Sequence, residues 1–226
     1  TLFPYTTLFR SFVVIDNLRY DQWEIIQNIV SNHYKLEKEI PYYAILPTAT
    51  QYARNAIFSG LLPIEMEKQF PEYWKNDTDE GGKNMFEAEF LTAQLKRLGL
   101  NIKQDYFKIT NLASGRKLVD SFKTLKTNDL VTVVYNFVDM LSHARTEMEV
   151  LKELASDETS YRSITESWFE HSPLHQALKR IADKNITVVV GTDHGSVRVK
   201  TPGKVIGDKQ TTTNLRYKHG RNLNFE

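Results

Sequence analysis

The sequence has no cysteine among its 226 residues. A disulfide framework, a thiolate zinc site and thiol catalysis are therefore excluded, and any metal must be held by Asp, Glu, His, Asn or Thr. Long apolar runs are also missing. The longest falls far short of a bilayer span and no signal-peptide core is recognisable, so the expected location is cytoplasmic, with no membrane span. With no long basic run and a net charge of +1, the electrostatic footprint of a dedicated nucleic-acid binder is absent, although short nucleotides remain within reach as substrates. No internal repeat or low-complexity tract is evident. What is present is an ordinary globular balance, 41% hydrophobic and 25% charged, enough for one domain or one domain with a small insertion.

The most informative stretch is Ile186-Thr187-Val188-Val189-Val190-Gly191-Thr192-Asp193-His194-Gly195. Its β-branched run predicts a strand buried on both faces of an α/β sheet, ending on a carboxylate and an imidazole. Ligands in such sheets sit outside the carboxyl ends of the strands, and Gly195 lets the backbone turn there. Taken alone, an Asp-His-Gly is more often a turn cap beside a packed histidine. The other strand ends decide the matter.

Phe12-Val13-Val14-Ile15-Asp16 is a second apolar run ending on a carboxylate, followed by Asn17 and by Trp23, Ile25, Ile26, Ile29 and Val30 at helical spacing. Tyr42-Tyr43-Ala44-Ile45-Leu46 predicts another strand, stopped by Pro47 and leading into Thr48 and Thr50 ahead of a helix that closes at Gly60. Residues 69–83 are polar, and 69–126 is a candidate lid or cap region. Asn84 is positioned to cap a helix carrying Phe86, Phe90, Leu91, Leu95 and Leu98. A short strand is expected from Asp105 to Ile109, then a helix through Leu118 and Phe122. Leu130 to Asp139 reads as one more strand ending on an Asp, with His143 four residues on. Two or three helices follow, the last opened by Ser172-Pro173. Val197-Arg198-Val199 and Lys204-Val205-Ile206 suggest a hairpin.

Three strand ends thus deliver Asp16, Asp139 and Asp193, and two of these have a His close behind. Asp139 and His143, four apart, can address one ion if the strand runs into a helical turn. Two ions about 3.5–4 Å apart would clamp the attacking and leaving oxygens of a phosphoryl transfer. A metal-bound threonine hydroxyl would become a usable nucleophile.

In this order, Asp16, Pro47-Thr48-Ala49-Thr50, Asp139-Met140-Leu141-Ser142-His143, Asp193-His194-Gly195 and His219-Gly220 resemble the alkaline phosphatase superfamily. The stretches Leu46-Pro47-Thr48-Ala49-Thr50-Gln51-Tyr52-Ala53-Arg54-Asn55 and Lys218-His219-Gly220-Arg221-Asn222-Leu223 are similar to PglZ-domain proteins, and most of all to the effector domain of PorX-like response regulators of type IX secretion. The resemblance implies a three-layer α/β/α sandwich with a mostly parallel central sheet and a helical insertion. It implies two Zn2+, with Mn2+ or Mg2+ as alternatives: Asp139, His143 and His219 would hold one, and Asp16, Asp193 and His194 the other. Thr50, favoured over Thr48, would be the nucleophile and touch the second ion. Ala53 stands where phosphodiesterase relatives carry a phosphate-holding Asn. Either Arg54 takes that role or the substrate binds differently, and Arg54, Asn17 and Lys218 are the expected substrate contacts. The implied activity is a zinc-dependent phosphodiesterase, acting on a phosphodiester or nucleotide such as an oligonucleotide signal. The implied setting is a two-component response regulator with a receiver domain upstream, a homodimer, and a sigma-factor or other regulatory protein partner. The alternatives are a phosphomonoesterase and a catalytically silent signalling module with structural zinc. A phosphomutase would need a larger cap than 69–126 offers.

Residues 1–11 match the in-frame translation of a common sequencing-library adapter. They are expected to be an artefact, leaving 12–226 as the domain, cut at both ends. His171 and His175 are expected on a solvated helix face and His33 at an exposed helix end. Arg145, Arg198, Lys218 and Arg221 are candidates to steer a phosphate, and Tyr52 and Tyr217 to pack at the core or rim.

Overall fold

Three of the apolar runs join in one sheet, the run that leads to Asp16 pairing with each of the other two. In the computed structural model, which describes residues 10–76, 79–122, 128–184, 186–201, 203–209, 211–212 and 217–225, strands β1 (Arg10–Ile15), β2 (Gln104–Ile109), β3 (Leu130–Tyr135) and β4 (Thr187–Gly191) form a parallel sheet in the order β2-β3-β1-β4. Parallel neighbours need long crossovers, and here they are helical. The described residues fall into two compact units, those up to Tyr42 with Asn101–Gly195, and Tyr43–Leu100 with those from Ser196 onward.

The first unit contains the sheet with helices α1 (Tyr20–Val30), α5 (Leu112–Ser121), α6 (Phe137–Glu147), α7 (Glu149–Leu154), α8 (Glu158–His171) and α9 (Pro173–Ala182). One sheet face, with Val13, Ile15, Val131, Val133 and Tyr135, packs against Ile26, Leu118, Phe169, Leu178 and Ile181 of α1, α5, α8 and α9. Each fully buried side chain of this kind contributes about 1.5–3 kcal/mol. Val14, Thr132 and Val134 on the other face are also at 0% exposure, so the sheet is covered on both sides, as in the expected α/β/α sandwich. Local chemistry sets the helix starts. Asn111, Asp157 and Ser172 accept from the backbone N–H of Ser114, Ser160 and His175, and Pro173 occupies the first turn of α9.

The second unit contains α2 (Thr50–Ser59), α3 (Pro63–Gln69), α4 (Glu87–Arg97) and a two-strand antiparallel pair, β5 (Val205–Ile206) with β6 (Asn224–Phe225). Phe58, Met66, Trp74, Phe90 and Leu91 are buried there, and Gly60 ends α2 at φ +63°. Tyr73 stacks on Phe86 at 5.2 Å and meets Phe90 edge-on at 5.8 Å, so aromatic packing anchors the polar segment that begins at 69. The segment 69–126 divides between the two units at Leu100 and Asn101.

Several expectations are corrected. β4 is half-buried rather than enclosed, because among the described residues it has one neighbour, β1. β3 stops at Tyr135, and Asp139 lies in the first turn of α6: the chain turns helical once the Asn136 N–H donates to the Ile109 carbonyl. Residues 35–45 have no regular structure, since the Tyr42 to Leu46 run finds no strand partner among the described residues. Val205 and Ile206 pair with Phe225 and Asn224, not with Val197 to Val199. Asn84 does not cap α4 but donates to the Thr50 carbonyl at 3.1 Å. Residues 1–9 of the presumed adapter segment lie outside the described residues, and Arg10 and Ser11 open β1.

Candidate metal centre

Parallel pairing decides where the strand exits lie. β1 sits between β3 and β4, with Val14 opposite both Val134 and Gly191, so the residues that follow β1 and β4 leave the sheet side by side. Asp16 extends the ladder by one bond, its N–H donating to the Tyr135 carbonyl at 2.9 Å. Asp193 and His194 emerge beside it. The donor atoms of Asp16, Asp193 and His194, all three buried, lie within 4.8 Å of one another. His194 Nε2 stands 3.6 Å from Asp16 Oδ1 and 3.9 Å from Asp193 Oδ2. Those separations are long for direct hydrogen bonds. They are close to the roughly 3.4 Å between two ligands of a tetrahedral ion with bonds of about 2.1 Å.

Two carboxylates buried together are costly unless a cation compensates them, and one imidazole with two carboxylate oxygens suits a borderline divalent ion such as zinc. The residues present fit such an ion. His194 is oriented for it: Nδ1 lies 3.2 Å from the Gly195 carbonyl, which by geometry makes Nδ1 the protonated nitrogen and turns the Nε2 lone pair toward the carboxylates. The exits of β1 and β4 are laced together. Thr192 Oγ1 accepts from the Leu18 N–H at 3.1 Å and donates to the His194 carbonyl at 2.8 Å. Asp193 Oδ1 accepts from the N–H groups of Asn17 at 3.1 Å and His194 at 2.9 Å. The Tyr42 hydroxyl donates to the Thr192 carbonyl. Burial holds that hydroxyl above the ordinary tyrosine range, and the Asp193 charge adds to the effect.

Asp139 and His143 share one face of α6, with Oδ2 and Nε2 3.6 Å apart. His143 is 69% exposed and also lies 3.9 Å from Glu147, so this pair is the open counterpart of the buried group. Asn17 Nδ2 donates to Asp139 Oδ1 at 3.3 Å. Arg145, a candidate phosphate-steering residue, is committed elsewhere. It donates to the Ala155 carbonyl at 2.8 Å and to Glu158 at 3.1 Å, and stacks over Tyr161 at 4.5 Å, while Arg19 covers the same ring at 5.4 Å and reaches Glu158 at 2.5 Å. That cluster joins α6, α8 and the loop that follows Asp16.

Thr50, Arg54, Lys218 and His219 belong to the second unit. Thr50 is the first residue of α2 after Ala49, at the positive end of the helix dipole. Arg54, one turn along, donates from Nε to Glu87 at 2.5 Å, the two side chains being 2% and 1% exposed. Lys218 Nζ donates to the Thr212 carbonyl at 2.9 Å, and the His219 N–H to Thr212 Oγ1 at 3.1 Å. His171 and His175 do not form a site. His175 is buried rather than solvated, packed on Phe169 at 5.4 Å and beside His33 at 5.8 Å. Sequence reasoning missed Glu87, Thr192 and the bridging part of Asn17. Only Asn17 carried a signal, as a residue type that tolerates positive φ directly after a strand end.

Among the described residues no helix is long and apolar enough to cross a membrane. No curated protein matches the chain. The chain matches, over residues 10–225, the family described as BREX system PglZ alkaline phosphatase-like domain, and it belongs to that family.

Proposed function

We propose that this PglZ-family domain is a metal-dependent phosphoesterase whose buried ion is held by Asp16, Asp193 and His194. Family membership supplies the reaction class, a phosphoesterase-type hydrolase. The observation that carries the metal dependence is the buried group of two carboxylates and one correctly turned imidazole at the exits of adjacent strands. Zinc is the favoured ion, and Asp139, His143 and His219 are the ligands assigned to a second. When bound, such ions supply Lewis acidity toward a phosphoryl oxygen.

Thr50 is the assigned nucleophile. Its Oγ1 forms the new bond to phosphorus as the bond to the leaving alcohol breaks, the hydroxyl proton passing to that alcohol; the intermediate is a phospho-threonine from a monoester or a nucleotidyl-type threonyl diester from a diester, and water then cleaves its Thr–O–P link. The first turn of α2, bearing no acidic residue, favours the negative charge of a phosphate beside Thr50. A diester is the favoured substrate, and the role of effector in a response regulator the favoured setting. Both rest on the likeness of Leu46 to Asn55 and Lys218 to Leu223 to PorX-like effectors.

The experiment is hydrolysis of bis-p-nitrophenyl phosphate and p-nitrophenyl phosphate by the natural chain and by Thr50→Val, with zinc content measured on both. The reading expects diester turnover that Thr50→Val abolishes without loss of metal. Metal binding with turnover unaffected by Thr50→Val would remove Thr50 from the chemistry.

A further inference from the structure

Asn17 is not placed like a substrate contact. It is 2% exposed, it adopts φ +62°, and it is bonded to the carboxylates of both groups described above. Its N–H donates to Asp193 Oδ1 at 3.1 Å and its Nδ2 to Asp139 Oδ1 at 3.3 Å. In each carboxylate the oxygen bonded to Asn17 is Oδ1, and the oxygen facing the neighbouring histidine is Oδ2: 3.9 Å from His194 Nε2 for Asp193, and 3.6 Å from His143 Nε2 for Asp139. One residue therefore bonds both acids on the oxygen that faces away from the histidine, sharing Asp193 Oδ1 with the His194 N–H.

We infer that Asn17 is a positioning residue that couples the Asp16, Asp193 and His194 group to the Asp139 and His143 pair and fixes the separation between them. The inference rests on the reading that both groups hold metal. The chemistry demands this residue type. A left-handed backbone is needed to aim the N–H at Asp193 while the side chain reaches α6, and apart from glycine only Asn, Asp and His adopt it with any frequency. Glycine would keep the backbone and lose the bond to Asp139. Aspartate would keep the backbone but bring a fourth carboxylate beside Asp16, Asp139 and Asp193, with no N–H donor in its side chain. A carboxamide supplies a neutral donor to Asp139 while the backbone N–H serves Asp193, and its Oδ1, buried and without a hydrogen-bond partner among the described residues, is one further acceptor at the centre.

The test compares the natural chain with Asn17→Gly, which retains the backbone. Zinc affinities are measured by chelator competition, with the two equivalents told apart in a His194→Ala background that retains only the α6 equivalent. The α6 equivalent is expected to weaken about 10–100-fold, the usual effect of removing an outer-shell partner, while the other changes little. For bis-p-nitrophenyl phosphate, kcat is expected to fall with KM held. In the metal-free protein, the Met140 amide, bonded to the Asn136 carbonyl at 3.1 Å, is expected to exchange its hydrogen faster in Asn17→Gly, with β1 and β3 amides unchanged. Unchanged affinities with a raised KM would make Asn17 a substrate contact and overturn the inference. Equal weakening of both equivalents, or unchanged exchange at Met140, would overturn it as well. Should the natural chain bind fewer than two zinc ions, the functional reading fails and the exchange measurement alone decides the role of Asn17.

Discussion

His194 Nε2 faces Asp16 Oδ1 at 3.6 Å because the strands that deliver them, β4 and β1, are hydrogen-bonded neighbours in register. The register places a carboxylate charge, another carboxylate and an imidazole in one buried space. Asp16→Asn is therefore expected to have opposite effects in two states. Without metal, removing one of two crowded negative charges leaves Tm unchanged or higher. With zinc at about 100 times its Kd, the natural chain gains about 2.7 kcal/mol of stability that the variant lacks. Thermal melts with and without chelator check this, and a variant that gains as much from zinc as the natural chain would contradict it.

The Arg54 to Glu87 pair ties α2 to α4 directly below Thr50. Removing one partner leaves a buried charge uncompensated, so Glu87→Leu and Arg54→Met are each expected to cost about 3–5 kcal/mol. The double variant Arg54→Met with Glu87→Leu should recover much of that loss, since neither charge remains. Urea unfolding of the three variants measures the coupling.

The cluster around Tyr161 predicts an acid limb. Burial alone would raise the Asp21 carboxyl, but the hydrogen bonds and charge of Arg19, with help from Arg162, outweigh it and hold the group below its ordinary value. Glu158 is lowered likewise: burial is outweighed by Arg19 and Arg145. Carboxylates with depressed folded values contribute stability that is present above their unfolded pKa of about 4 and lost as pH falls through the folded value. Arg19→Gln should remove part of that limb, so its Tm should fall less steeply than the natural chain's as the pH is lowered below about 4. Because these groups are partly exposed, added salt should shrink the difference. Melts across pH 2–6 at two ionic strengths test both signs.

What was legible in the sequence is the part that period and composition encode. The runs ending near Asp16 and Asp193 are β-branched and short, and the paired strands place both residues where the pattern implied. Ser172-Pro173 announced α9 by chemistry confined to adjacent residues. What was not legible depends on partners far along the chain. Asp139 follows an apolar run that continues through Phe137 and Val138, and only the bond from Asn136 to Ile109 shows that the strand has already ended. Tyr42 to Leu46 is a short apolar run like the strands yet has no neighbour to pair with among the described residues, and Val205 pairs with Phe225 rather than with the nearer valines. Glu87 looks like any acidic residue at a helix start until Arg54 is found against it.

The measurement that bears most directly on the central claim is zinc content and diester hydrolysis for the natural chain and for His194→Ala, each stripped with chelator and then reloaded. The account predicts that the natural chain loses turnover when stripped and regains it with zinc, while His194→Ala binds one equivalent fewer and is not restored. Turnover that survives stripping, or a His194→Ala protein that binds zinc and hydrolyses diester like the natural chain, would contradict it.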